Sequence, residues 1–143
     1  MSLITDNGIS RVWREDGWIW KRQPKYMTDN EIYALLSLKD SGYVPYAEQV
    51  DIELIRMQDL GEGQPVTNRE AFMAHEYLVL AALQRAGIRH GDLTKYAVIV
   101  RGNKPYLIDF GESRMWDDPR PDKRREGDAY WLHRTMEELC QGL

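Results

Sequence analysis

The chain has 143 residues, 43% of them hydrophobic, and a formal net charge of −4 at neutral pH. That length suffices for one domain, or two small lobes sharing one interface, with a core that needs no covalent staples. The single Cys140 excludes an intramolecular disulfide framework and fits a reducing, cytoplasmic compartment, no apolar run reaches the ~18 residues of a membrane span, and the negative balance argues against broad nucleic-acid binding.

Along the chain, the first ten residues carry Asp6 and no continuous apolar core, so they are not expected to be a secretory signal. Residues 10–15 and 18–23 flank Asp16-Gly17, a two-residue hairpin signal between aromatic and β-branched runs. Thr28 and Asp29 are placed to cap a helix over about residues 30–39, with Ile32, Leu35, Leu36 and Leu38 spaced for a buried face and Ser41-Gly42 as its stop. Two strands follow near residues 47–50 and 53–57, and a glycine-rich link, Leu60-Gly61-Glu62-Gly63-Gln64-Pro65, marks the lobe boundary. Thr67 or Asn68 opens the longest predicted helix, residues 69–86, which carries a broad apolar surface and is closed by Gly87. A strand over 97–100, a turn of Arg101-Gly102-Asn103-Lys104 and a strand over 105–108 come next. A polar stretch over 112–126 and a last helix over about 128–141 complete the chain. This order reads as two-lobed α+β.

Two motifs carry chemistry: His90-Gly91-Asp92-Leu93-Thr94 before the last hairpin and Asp109-Phe110-Gly111 after it. Separately, each aspartate is compatible with an ordinary turn cap or strand end. Together they resemble the catalytic loop and metal-binding motif of protein kinases and their atypical relatives. Lys21 ends the second strand and Glu31 follows ten residues on. Alone they read as a surface ion pair worth about 0–1 kcal/mol; in this order they match that family's phosphate-binding Lys and its helix Glu. The Gly after His90, the Thr two after Asp92 and the short path from Asp109 to Asp128 resemble the small atypical kinase/ATPase of the KEOPS tRNA-modification complex. RIO kinases are more distant cousins.

The resemblance implies a minimal two-lobed protein kinase-like fold: a small antiparallel β N-lobe with one helix, about residues 1–60, a hinge at about 58–65, and a short, mostly helical C-lobe, about 66–143, with a catalytic β-hairpin. It implies ATP and Mg2+ as cofactors, Asp92 as the carboxylate that orients the acceptor, Asp109 as the metal ligand, and Lys21 paired with Glu31. Ile19 and Met57 would wall the adenine pocket, with main-chain contacts from Gln58 and Leu60, although Met57 is equally a strand-core residue. His90 takes a packed structural role, Phe110 fills the core between lobes, Gly111 supplies backbone freedom, and Asp128 braces the catalytic loop or simply opens the last helix.

Three departures qualify the resemblance. No glycine-rich loop precedes Lys21, so the first strand and its lid look missing, and the family's large C-terminal helical region is missing too. Five residues past Asp92, where the family carries a metal-binding Asn, stands Ala97, and Asn103 lies too far along to replace it. Three functions follow: an ATP-dependent Ser/Thr phosphotransferase, autophosphorylating enzyme or ATPase; a pseudokinase interaction module; and a small-molecule kinase, for whose substrate pocket too few residues remain. A protein substrate or partner, or a homodimer, is expected because short helical lobes leave apolar faces exposed. No membrane is expected as a partner, and nucleic acid only indirectly. The basic cluster Arg120, Lys123, Arg124 and Arg125 reads either as a solvated loop or as a docking site for an acidic partner.

Overall fold

A computed structural model describes all residues, 1–143. Five antiparallel strands form the N-terminal sheet in the order β1-β2-β3-β5-β4: β1 Ser2–Asp6, β2 Arg11–Glu15, β3 Trp18–Arg22, β4 Ala47–Asp51 and β5 Leu54–Gln58. Asp16-Gly17 makes the predicted turn, with both residues at positive φ (54° and 80°), the backbone that a two-residue hairpin requires. Alternation then sends Ile19 and Lys21 to the inner face. Trp20 goes to the outer face and stacks on its cross-strand partner Trp13, ring centroids 6.2 Å apart.

The expectation of a missing first strand is corrected here. β1 pairs with β2 through a hairpin loop over residues 7–10, so a strand and a short loop do precede Lys21. The strand is exposed along its whole length, and so carries no inside-outside pattern to announce it.

Helix α1 spans Lys25–Ser37 and begins earlier than expected, at Pro24, whose φ of −53° suits a helix entry. Thr28 is therefore not a cap. It is buried in the first turn, and its hydroxyl bonds back to the Gln23 and Pro24 carbonyls. The single long helix resolves into α2 Arg69–Met73 and α3 His75–Ala86, divided at Ala74, whose N–H still donates to the Glu70 carbonyl. Asn68 caps α2, its Oδ1 accepting the Ala71 N–H at 3.0 Å, and Gly87 ends α3 at φ 70°.

A two-residue strand β6, Ile88–Arg89, pairs with β9, Arg114–Met115, which lies inside the polar stretch; the hairpin β7 Val98–Arg101 and β8 Lys104–Leu107 lies between them in sequence. The last helix, α4, spans Asp128–Leu139. No helix is long and apolar enough to cross a membrane.

One hydrophobic cluster runs through both lobes. It joins Ile32, Leu35 and Ile55 to Phe72, Val79, Leu132 and Met136, with Phe110 and Leu107 between them. The lobes are also tied by backbone: Leu107 N–H donates to the Tyr43 carbonyl and Gln64 N–H to that of Val100, both at 2.7 Å. Asn103 explains itself structurally. Its Oδ1 accepts the Thr67 and Asn68 N–H groups and its amide donates to the Thr67 hydroxyl, so it organises the entry to α2.

Candidate functional site

Between the inner face of the sheet and the β7–β8 hairpin lies a cleft of about 680 Å³. Its lining includes Ile19, Lys21, Met57, Gln58, Leu60 and Asp109, so all five expected nucleotide-pocket residues and the expected metal ligand meet in one place. Strand alternation accounts for Ile19, Lys21 and Met57, since Ile19 and Met57 are direct cross-strand partners on the inner face. At the mouth, Leu60 N–H makes no hydrogen bond within the chain, whereas Gln58 N–H is already bonded to the Tyr46 carbonyl at 2.7 Å. Of these two main-chain donors, only that of Leu60 is uncommitted.

At the cleft's inner end Lys21 Nζ stands 2.9 Å from Glu31 Oε1 and 3.2 Å from Asp109 Oδ1. Lys21 and Glu31 are both buried, which excludes the reading of a surface ion pair. Burial alone would favour neutral forms, raising the Glu31 pKa and lowering that of Lys21. For Lys21, the Glu31 and Asp109 carboxylates outweigh burial and lift its pKa above the ordinary lysine value. For Glu31, the Lys21 charge outweighs burial, aided by hydrogen bonds from Lys21, Gln23 and the Phe110 N–H, and holds the carboxyl low. Gln23 Nε2 donates to Glu31 Oε1 at 2.8 Å and Phe110 N–H to Oε2 at 3.0 Å, so Glu31 joins β3, α1 and the turn after β8.

That turn holds a conformational cost. Asp109 sits in the left-handed region at φ 60°, ψ 56°, where a non-glycine residue persists only if its surroundings enforce it. The left-handed conformation falls on Asp109 and not on Gly111, which corrects the expected role of that glycine. Gly111 sits at a close approach instead: a Cβ there would lie 2.9 Å from Met27 Cε, so that flexible side chain would have to shift.

Asp92 lies apart from the cleft lining, with Arg124 Nε 2.9 Å from Oδ1 and Lys123 Nζ 3.5 Å from Oδ2. Its loop is braced from below as expected. Asp128, the first residue of α4, accepts the His90 and Gly91 N–H groups at 2.7 and 2.9 Å. Buried His90 donates from Nε2 to the Ile108 carbonyl at 2.7 Å, which leaves Nδ1 to accept the Asp92 N–H at 3.1 Å. It also packs against Phe110, centroids 4.5 Å apart. Ala97 is buried and its backbone N–H bonds to the Thr94 carbonyl; only a methyl stands where the resemblance expects an amide ligand.

Several cleft residues carried no signal in the sequence. Arg14 on β2 reaches the hinge, its Nε donating to Asp59 Oδ2 at 2.5 Å and its Nη2 to Oδ1 at 3.3 Å. Ser2, Thr5 and Tyr96 line the cleft as well. At the β1–β2 loop, the Asp6 side chain accepts the Gly8 N–H and the Asn7 side chain those of Ile9 and Ser10, so the amides that could face a phosphate are satisfied locally.

A magnesium ion that rides on nucleotide phosphates needs only one or two protein carboxylates. Asp109 is the carboxylate at the inner end of the cleft, and nowhere do three metal-ligating side chains gather. A single carboxylate beside the Lys21 ammonium fits an ion carried in on a nucleotide.

Residues 11–129 match the model of the RIO domain. The chain belongs to the RIO domain family. Among curated relatives of this RIO domain, a probable bifunctional tRNA threonylcarbamoyladenosine biosynthesis protein of Methanocorpusculum labreanum is 35% identical over 116 residues, 80% of this chain and 22% of the relative. The KEOPS complex subunit Bud32 of Pyrococcus abyssi is 31% identical over 138 residues, 82% of this chain and 63% of the relative. The RIO domain chain thus spans less than two thirds of either relative. In fold it superposes on the Cydia pomonella granulovirus kinase PK-1 with a TM-score of 0.72, over 97% of this chain and 68% of that one, at 16% identity. A Rio2 kinase–ADP/Mg2+–phosphoaspartate complex from Chaetomium thermophilum gives 0.64 over 97% and 54%, at 14% identity. The kinase-like two-lobed fold expected from the sequence is therefore the fold observed.

Proposed function

We propose that this RIO domain is an ATP-dependent phosphotransferase of the protein kinase-like class that acts on a serine or threonine hydroxyl, its own included, or hydrolyses ATP. The observation that carries this reading is Lys21, buried and held between Glu31 and Asp109 at the inner end of a cleft whose lining is half apolar. An ammonium fixed there suits nucleotide phosphates, and Asp109 beside it suits the magnesium they carry, which would neutralise charge on the transferring group. In this reading Asp92 orients the attacking hydroxyl from a loop that Asp128 and His90 keep rigid. Ile19 and Met57 wall the base, with main-chain contacts from Gln58 and Leu60. Relatives whose names include a Rio2 kinase with ADP/Mg2+ support the same assignment of cofactors.

A second reading, a pseudokinase interaction module, is favoured by two observations: Ala97 offers no ligand, and the β1–β2 loop amides are already occupied by Asp6 and Asn7. Magnesium-dependent ATP turnover and autophosphorylation of this chain and of Ala97→Asn separate the two. We expect slow turnover in the chain as it stands and a rise of about tenfold or more in Ala97→Asn, which restores a metal ligand. No turnover in either protein, both folded by circular dichroism, sinks the catalytic reading.

A protein partner belongs to this proposal, because one relative is named as a subunit of a complex and because Tyr77, Leu78 and Trp116 are exposed. Homodimerisation is the simplest form of it. Light scattering should then give a mass that rises with concentration; a constant monomer mass rules the homodimer out.

A further inference from the structure

The path from β9 to α4 is folded around one side chain. Arg89 on β6 donates from Nη1 to the carbonyls of Trp116 (3.1 Å) and Asp118 (3.0 Å), and from Nη2 to that of Arg120 (3.0 Å). Its Nε faces Asp122 Oδ1 at 3.1 Å, and that carboxylate is nearly enclosed, with 9% of its side chain exposed. The planar fork of arginine is what allows one group to donate to three carbonyls while its charge stands beside a carboxylate to which its Nε makes no aligned hydrogen bond; a lysine ammonium is a single nitrogen.

Immediately beyond this knot come Lys123 and Arg124, the two cations at Asp92. Arg124 is registered further by its backbone N–H, which donates to the Gly91 carbonyl at 2.9 Å, and by its guanidinium over the Trp131 ring, 5.2 Å from the centroid. The two oxygens of Asp92 thus face cations whose approach is set by a segment that Arg89 shapes.

We propose that Arg89 is a positioning residue, which folds residues 116–124 round its guanidinium so that Lys123 and Arg124 arrive at Asp92 and hold its carboxylate in one orientation. Arg89 touches no reacting group; it acts through Arg124 and Lys123. The half of this proposal that concerns turnover rests on the phosphotransferase reading above, whereas the half that concerns the segment does not.

Two measurements test it. Trypsin cuts after Lys123, Arg124 and Arg125, so cleavage there reports whether the segment is held. In Arg89→Lys, which keeps the charge and loses the fork, and in Arg89→Gln, cleavage should quicken by about tenfold or more. Acceptor turnover should fall on the order of tenfold with KM for ATP unchanged, and this fall should largely vanish in an Arg124→Gln background, because the effect runs through Arg124. A residue that only stabilised the fold would give additive losses and a raised KM. Unchanged cleavage in Arg89→Lys, or additive losses in the double variant, overturns the proposal. If the unaltered chain shows no phosphotransfer, the phosphotransferase reading fails, and the cleavage rates alone then decide the role of Arg89. Should Arg89→Gln not fold, Arg89→Lys decides.

Discussion

Replacing Glu31 with alanine should lower stability by about 3–5 kcal/mol, the range for removing one partner from a buried ion pair. The variant strands the Lys21 ammonium with Asp109 alone and leaves the Phe110 N–H and the Gln23 amide without their acceptor. Urea denaturation measures it, and a midpoint within error of the unaltered chain would disprove the claim that Glu31 links the lobes. Glu31→Gln should cost less, since an amide oxygen still accepts from Phe110 while the charge is lost. The same pair sets a pH dependence. Glu31 has its folded pKa lowered, so its contribution is fully present above the ordinary glutamate value of 4.5 and is lost as pH falls through the lower folded value. Lys21 has its pKa raised, so its contribution is full below the ordinary lysine value of 10.5 and is lost only as pH rises through the higher folded value. Between these limits the pair is constant, and acid unfolding of Glu31→Ala should therefore lack part of the slope that the unaltered chain shows below pH 4.5.

Asp109→Asn should abolish magnesium-dependent turnover, a loss on the order of a hundredfold to a thousandfold by analogy with other electrostatic groups at reacting centres. Asparagine is the informative substitution because it tolerates the left-handed backbone at this position, whereas alanine would add strain to the loss of charge. Nucleotide affinity measured with and without magnesium should lose its magnesium-dependent increment in the variant, while the fold is retained because Lys21 keeps Glu31. Undiminished turnover in Asp109→Asn would remove Asp109 from the metal role.

Much of the candidate site is legible in the sequence because its residues sit in short, local motifs. His90, Asp92 and Asp109 are framed by a hairpin whose turn chemistry is written in Gly102 and Asn103, and the alternation of β3 puts Ile19 and Lys21 on one face. Asp128 carries a similar local mark, since it opens a helix with a clear amphipathic pattern. The start of α1 is not legible in the sequence because Thr28 and Asp29 look like caps, while Pro24 is a legitimate entry and Thr28 satisfies its hydroxyl inside the helix. Strand β1 leaves no mark in the sequence because an exposed edge strand is specified by its neighbour β2 and has no burial pattern of its own.

The sequence by itself determined the two-lobed order of elements and the shared face of Ile19 and Lys21 on β3, because periodicity and turn chemistry act over a few residues, whereas the pairing of Lys21 with Glu31 is legible only through the resemblance of their order to the kinase motifs. Only the tertiary structure decided what surrounds Asp92 and who closes the cleft. Arg14 finds Asp59 from 45 positions away, and Arg124 reaches Asp92 from 32. Arg89 acts on backbone carbonyls 27 to 31 residues further on, and carbonyls are the same in every residue. Contacts of that kind leave no periodic or compositional trace; they exist only once burial has brought the segments together.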